Sequence, residues 1–297
     1  MLRGRRYSAI FLLSVLLVLS LFALPEISSG EVIGDTIKTD LVPSPVNYWV
    51  LLPDDYETSK IAYPLLLLLH GYGGYSNELQ LVEPVIRDHW SKGQIPKMVI
   101  VTPDCDNSYY LDFYDGSQKW ETFIITTLLP HIQKKYRVSL DKDKTFIGGI
   151  SMGGIGCLRL GLKYPDKFGA IVAWEPAIEP ATSWKDVKFP TNKPLLEKLY
   201  GTPINEAYWE SNNPASIALK NSDVIRKSGI KIYIEVGTKD QRGFFRGTDF
   251  LHRILFDHNI PHEYRLVYGA DHVGPTLIPR MIDGLSFLDR ILKMLSN

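Results

Sequence analysis

The sequence predicts an α/β protein with a mostly parallel sheet and helices on both faces. Three observations carry this. Residues 65–69 are five consecutive leucines, the pattern of a central parallel strand buried on both sides. Apolar runs of strand length alternate with stretches of helical period along most of the chain, as expected for strands joined by helical crossovers. Residues 144–155 read as strand, sharp turn and helix, with Gly149-Ile150-Ser151-Met152-Gly153 at the turn.

The first thirty residues stand apart. Arg3, Arg5 and Arg6 precede an apolar run from Ala9 to Leu24, followed by Pro25 and the small residues Ser28, Ser29 and Gly30. That order predicts a secretory signal over residues 1–30. The run is short for a membrane span of about 20 residues, so an uncleaved anchor is the alternative, and the only route to a membrane. Residues 31–297 are then the working domain, placed outside the cell or in its envelope. Lys plus Arg and Asp plus Glu both number 33, so no charge excess points to nucleic acid or an anionic surface. Cys105 and Cys157 are the only cysteines. Neither has a metal-ligand spacing to another Cys or His, and they read as two separate buried thiols.

The remaining elements follow in order. Residues 46–52 form an early strand closed by Pro53-Asp54-Asp55, and the leucine strand ends in His70-Gly71-Tyr72-Gly73-Gly74. A helix over 77–90 and a strand over 98–101 come next. Trp120, Ile124, Leu128 and Ile132 set a helical stripe within 118–136, which Pro130 should kink. After the 144–155 unit, Ile155, Leu158 and Leu162 continue a helix to Pro165. Residues 168–174 form a buried strand. The stretch 175–228 is rich in Pro, Asn and aromatic residues without one period, and reads as an insertion that is a lid or pocket wall. Strands over 231–236 and 263–267 flank a helix over 247–258. Met281, Leu285, Leu288, Leu292 and Leu295 mark a terminal amphipathic helix.

In such a sheet, functional side chains gather beyond the carboxyl ends of the strands. His70, Ser151, Asp240 and His272 each follow a different predicted strand at that end. A nucleophilic serine on a strained turn needs glycine two positions before and after it, because side chains there would collide. Its hydroxyl needs a base, and the base needs a carboxylate to hold its tautomer. The order serine, acid, histidine selects Ser151, Asp240 and His272. Glu175, after the preceding strand, is the alternative acid. His89, His131, His252 and His258 fall in predicted helices and His262 begins a strand. Asp271, next to His272, reads as a turn residue. Backbone N–H groups of Met152 and Tyr72 are the expected donors to an oxyanion. Trp174, Trp184, Tyr208 and Trp209 are the expected substrate-binding aromatics.

The chain resembles the esterase D-like branch of the α/β-hydrolases, which includes feruloyl and acetyl-xylan esterases, S-formylglutathione hydrolases and mycolyltransferases. The resemblance rests on Leu69-His70-Gly71-Tyr72-Gly73-Gly74, on Leu129-Pro130-His131-Ile132 with Tyr136-Arg137-Val138, on Gly148-Gly149-Ile150-Ser151-Met152-Gly153-Gly154, and on Tyr164-Pro165-Asp166-Lys167-Phe168. It implies carboxylic-ester hydrolysis by Ser151, Asp240 and His272 through an acyl-enzyme, with no metal or cofactor. The expected substrates are small or carbohydrate-linked esters. Transfer of the acyl group to a sugar or lipid hydroxyl is the alternative, and a non-catalytic binding protein of the same fold the third. The 175–228 stretch matches no signature within the branch.

Overall fold

The chain enters its sheet through two antiparallel strands, β1 (Val32–Ile37) and β2 (Val46–Leu51). The computed structural model describes residues 32–74, 78–188, 190 and 192–296, so the expected signal over 1–30 lies outside the described residues. The early strand over 46–52 is β2. Its partner β1 carries no strand signal in the sequence, because it is a half-exposed edge strand whose Gly34, Asp35 and Thr36 break any apolar alternation.

The strand on the other side of β2 also pairs with it antiparallel, and beyond that pair the sheet is parallel. The strands β3 (Leu65–Leu69), β4 (Val99–Pro103), β5 (Thr145–Ile150), β6 (Ala170–Trp174), β7 (Lys231–Gly237) and β8 (Glu263–Val267) lie in the order β1-β2-β4-β3-β5-β6-β7-β8. Because side chains alternate across a strand, the five leucines of β3 feed two cores. Leu65, Leu67 and Leu69 pack with Leu158 and Leu162 of helix α4 (Met152–Lys163). Leu66 packs on the opposite face with Leu79 and Ile86 of α1 (Glu78–Ser91) and with Leu285 and Leu288 of α10 (Leu277–Ser296). The mostly parallel sheet covered on both faces is therefore the observed architecture.

The helical stripe expected to kink at Pro130 is divided into separate segments around it. The helix α2 (Trp120–Phe123) passes into one π-helical turn, Ile124–Leu128, before α3 (Leu129–Lys135). The Leu129 N–H reaches back five residues to Ile124 O, so Pro130 sits at the start of the next segment, where a missing N–H costs least. The insertion resolves into four short helices, α5 (Lys193–Tyr200), α6 (Glu206–Asn212), α7 (Pro214–Lys220) and α8 (Ser222–Ser228). Helix α9 (Phe245–Asp257) joins β7 to β8. Among the described residues, no helix is long and apolar enough to cross a membrane.

Candidate active site

The chain turns from β5 into α4 on Ser151, whose φ of 57° lies in the left-handed region. Such strain in a non-glycine residue costs on the order of 1–3 kcal/mol and concentrates at functional sites. Neighbouring backbone holds it in place. Ser151 N–H donates to Trp174 O at 2.9 Å, and Ser151 O accepts from Ile155 and Ala177, each at 3.1 Å. The flanking glycines are required by contact. A Cβ on Gly149 would lie 2.4 Å from Gly153 O, and one on Gly153 would lie 2.1 Å from Leu69 O.

His272 meets this serine. Its Nε2 lies 2.9 Å from Ser151 Oγ, and Phe244 packs edge-on to its ring with centroids 5.3 Å apart. On the other side of the ring, Nδ1 faces two carboxylates, Asp240 Oδ1 at 3.3 Å and Glu175 Oε2 at 3.7 Å. Neither contact reaches hydrogen-bond geometry, so Nδ1 and Glu175 Oε2 are buried without a partner. Burial pulls the His272 pKa down, but the two carboxylates outweigh it and hold the pKa above the ordinary histidine value. Asp240 shows the complementary shift. Burial pushes its pKa up, but His272 and the backbone N–H groups of Arg242 and Phe244, each 2.8 Å from a carboxylate oxygen, lower it overall.

Glu175 is more than an alternative on paper. Its own φ is 48°; Oε1 accepts from Gly237 N–H at 2.8 Å and pairs with the Arg280 guanidinium. Arg280 also lies 3.3 Å from Glu235 and donates to Asp271 O at 2.8 Å, tying the His272 loop to α10. Burial raises the Glu235 pKa to about 7. Glu175, Asp240 and His272 bring one possible metal-ligating atom each within 4.8 Å of one another. Arg280 pairs with the other Glu175 oxygen, Oε1.

The loop after β3 lies against the serine, since a Cβ on Gly71 would stand 3.7 Å from Ser151 Cβ. Gly74 N–H closes its turn onto Gly71 O at 3.1 Å, and Gly73 N–H donates to Asn107 Oδ1 at 2.7 Å. Tyr72, next to Gly71, lines the same cavity as Ser151, and Met152 opens α4 directly after the serine. His70 is buried and braces the loop. Its Nδ1 lies 2.8 Å from Gly71 O, and its Nε2 accepts from Cys105 N–H at 3.2 Å. Those two bonds select the Nδ1–H tautomer. Cys105 and Cys157 are separate buried thiols, and burial raises both pKa values.

Ser151 and His272 open onto a cavity of about 580 Å³. Of the four expected substrate aromatics, Trp174 lines it; its indole lies against Gly284 and donates from Nε1 to Arg280 O at 3.1 Å. Trp184, Tyr208 and Trp209 are not among its lining residues, and Trp209 lines a smaller adjoining cavity that shares Tyr109, Ala177, Asn192 and Phe244 with it. Trp184 packs on Trp209 at 5.7 Å between centroids, and Tyr208 packs on Tyr114 and Tyr200. Tyr208 thereby ties the insertion to Tyr114 of the main domain, and the Trp184–Trp209 pair holds the insertion's own short segments together. Of residues 175–228, the described lining residues are Ala177 and Asn192. Trp209→Ala is accordingly expected to cost about 3–5 kcal/mol of stability in urea unfolding while leaving substrate preference unchanged. A shift in preference without loss of stability would return Trp209 to the pocket.

Sequence reasoning did not single out Arg280, Arg159 or Tyr109. A signal for Arg280 existed: it heads the row Gly284, Phe287 and Ile291 at helical spacing, so a charge stands on an apolar face. Arg159 is fully buried in α4 and holds the Tyr109–Tyr110 turn by its carbonyls, with Glu121 at 3.3 Å from Nε. Tyr109 lines the cavity.

The family model described as putative esterase matches residues 41–285. An esterase of Mycobacterium tuberculosis is 29% identical over 262 residues, covering 80% of this chain and 54% of its own. The chain thus spans about half the length of that curated relative. Among solved structures, a ferulic acid esterase superposes with a TM-score of 0.73 at 25% identity, over 88% of this chain and 98% of its own. An S-formylglutathione hydrolase from Agrobacterium tumefaciens gives 0.70 at 19% identity, over 87% and 94%, a likeness of fold. With the sheet order, the serine turn and a family match across most of its length, the chain belongs to the putative esterase family, in the esterase D-like branch of the α/β-hydrolases.

Proposed function

We propose that the chain is an exported serine hydrolase that cleaves small or carbohydrate-linked carboxylic esters through an acyl-enzyme. The observation that carries this reading is His272 Nε2 at 2.9 Å from Ser151 Oγ, at the wall of a cavity large enough for a small-molecule ester. Membership of the putative esterase family supports it, and the amino-terminal pattern of charge, apolar run and small residues supports export.

The proposed steps follow from proton positions. Neutral His272, with its proton on Nδ1 toward the carboxylates, accepts the Ser151 hydroxyl proton on Nε2 as Oγ attacks the ester carbonyl carbon. The oxygen of the tetrahedral intermediate is met by the Met152 and Tyr72 N–H groups, the former at the positive end of α4. His272 then delivers its proton to the departing alkoxide, leaving acylated Ser151 and free alcohol. A water activated by the same Nε2 hydrolyses the acyl group and restores the serine. Asp240 holds the imidazole and stabilises its protonated form.

A fluorophosphonate probe together with p-nitrophenyl acetate tests the reading. Labelling at Ser151 and a burst of p-nitrophenol are expected; an enzyme that neither labels nor hydrolyses any ester sinks it. Export is tested separately by the mass of the protein recovered outside the cell, which should lack residues 1–30.

Two predictions concern His272. Asp240→Asn is expected to lower kcat by a factor on the order of 10³–10⁴. Glu175→Gln is expected to lower it less, because Glu175 lies farther from Nδ1 and is already paired with Arg280. The reverse ranking, measured on folded variants, would move the acid role to Glu175. For pH, a base must be unprotonated to work, so kcat/KM should fall as pH drops through the His272 pKa. Since that pKa is raised, the acid limb should have its midpoint above the ordinary value of about 6.5, and Asp240→Asn should move it downward. A wild-type midpoint at or below 6.5 contradicts the assigned contacts.

A further inference from the structure

The cavity is built on the face of the sheet that α1 and α10 cover, and its floor is set by register. Leu68 of β3 and Thr102 of β4 lie at adjoining ends of neighbouring strands, and Ile150 pairs with Trp174 across β5 and β6. Val82 of α1 and Met281 of α10 close the sides. This is the second apolar core of the protein left partly open: Leu68, Val82, Ile150 and Met281 pack against it while remaining only half-buried. The rim continues the same character outward, with Leu81 77% and Val273 65% exposed beside Ile278. Isolated exposed apolar residues need no explanation, but several around one mouth that leads to Ser151 do.

Polar groups are distributed unevenly. Glu78 and Arg242 are exposed lining residues, and Asn192 is half-buried. On the inner floor the hydroxyl of Thr102 is shielded from solvent and has no hydrogen-bond partner, and His70 uses both ring nitrogens on backbone groups. Pockets that select a polar ligand place a few groups to fix it. The inner walls of this one are mainly apolar, formed by Leu68, Val82, Ile150 and Met281, with the Thr102 hydroxyl as the unpaired polar group on the floor.

We infer that the space between α1 and α10 binds an unbranched alkyl chain on the ester substrate. The inference rests on the hydrolase reading above and names the substrate class for that same site: esters carrying a medium-length hydrocarbon chain, on the acyl or the alcohol side. Each methylene that enters the cavity adds buried apolar surface, equivalent to about a fourfold gain in affinity or in kcat/KM.

The test uses two ester series, p-nitrophenyl esters from acetate to decanoate and acetate esters of ethanol to octanol. In one of them kcat/KM should climb about fourfold per methylene until the cavity is filled. A climb in the first series puts the chain on the acyl group, and a climb in the second puts it on the alcohol. Ile278→Trp, which places bulk at the mouth, should collapse the octanoate-to-acetate or octyl-to-ethyl ratio. Flat series in an active enzyme, or a ratio that Ile278→Trp leaves intact, overturns the inference while the hydrolase reading stands. Binding of 2-alkanones from pentanone to undecanone to Ser151→Ala, measured by calorimetry, decides the matter without turnover. If the wild type cleaves no ester, the hydrolase reading fails. The alkyl site then stands on affinity rising with ketone length, and falls if affinity is flat.

Discussion

Replacing Ser151 by alanine is expected to lower kcat for ester hydrolysis by a factor on the order of 10⁴ or more, with little change in melting temperature. The large first effect follows from the proposed chemistry: without Oγ no acyl-enzyme forms, and only binding and oxyanion stabilisation remain to accelerate attack by water. The small second effect follows from the structure. The contacts that set the turn are backbone bonds, from Ser151 N–H to Trp174 O and from Ile155 and Ala177 to Ser151 O, and alanine keeps all of them. The hydroxyl is held by His272 alone among the described side-chain bonds. Alanine also tolerates the left-handed φ about as poorly as serine, so the strain is not relieved. Purified Ser151→Ala retaining more than a few per cent of wild-type activity would falsify the assignment of the nucleophile. A collapse of the fold instead would show that the hydroxyl is structural.

Gly153→Ala should damage both fold and activity. Its Cβ would stand 2.1 Å from Leu69 O, 2.6 Å from Leu69 C and 2.8 Å from His70 O, distances that no side-chain rotation relieves because all three atoms are backbone. Either α4 moves off the end of β3 or the loop carrying His70 and Tyr72 moves away from Ser151. Overpacking of this kind costs about 1–3 kcal/mol. The displacement separates Ser151 from both His272 and the Tyr72 N–H, and a shift near 1 Å in such a site costs on the order of 10²-fold in rate. Urea unfolding and steady-state hydrolysis measure the two effects on one preparation. Wild-type values in both would mean that the close approach of α4 to β3 is not required.

The two variants separate what a side chain does from what a backbone position permits. Ser151 is replaceable structurally because its neighbours grip main-chain atoms. Gly153 is not, because the helix that positions Met152 runs directly against the strand that positions Tyr72. The same contact explains why the glycine pattern was legible without a structure.

By itself the sequence determined the parallel sheet, the turn between β5 and α4, and the loops that carry Asp240 and His272. These depend on local rules: continuous apolar runs for strands buried on both faces, helical spacing for the crossovers, and glycine where a turn excludes side chains. The fold then brings Ser151, Asp240 and His272 together because loops at the carboxyl ends of parallel strands share one edge. Only the tertiary structure decided the remainder. Glu175 stands with Asp240 beside His272 because β6 and β7 are neighbours and Arg280 reaches in from α10, more than a hundred residues later. Trp184 and Trp209 pack on each other within the insertion and Tyr208 packs on Tyr114 of the main domain, while Trp174 lines the cavity. Their composition was the same in either outcome. Which surface an aromatic ring covers is fixed by contacts between distant segments, and one-dimensional periodicity carries no record of those.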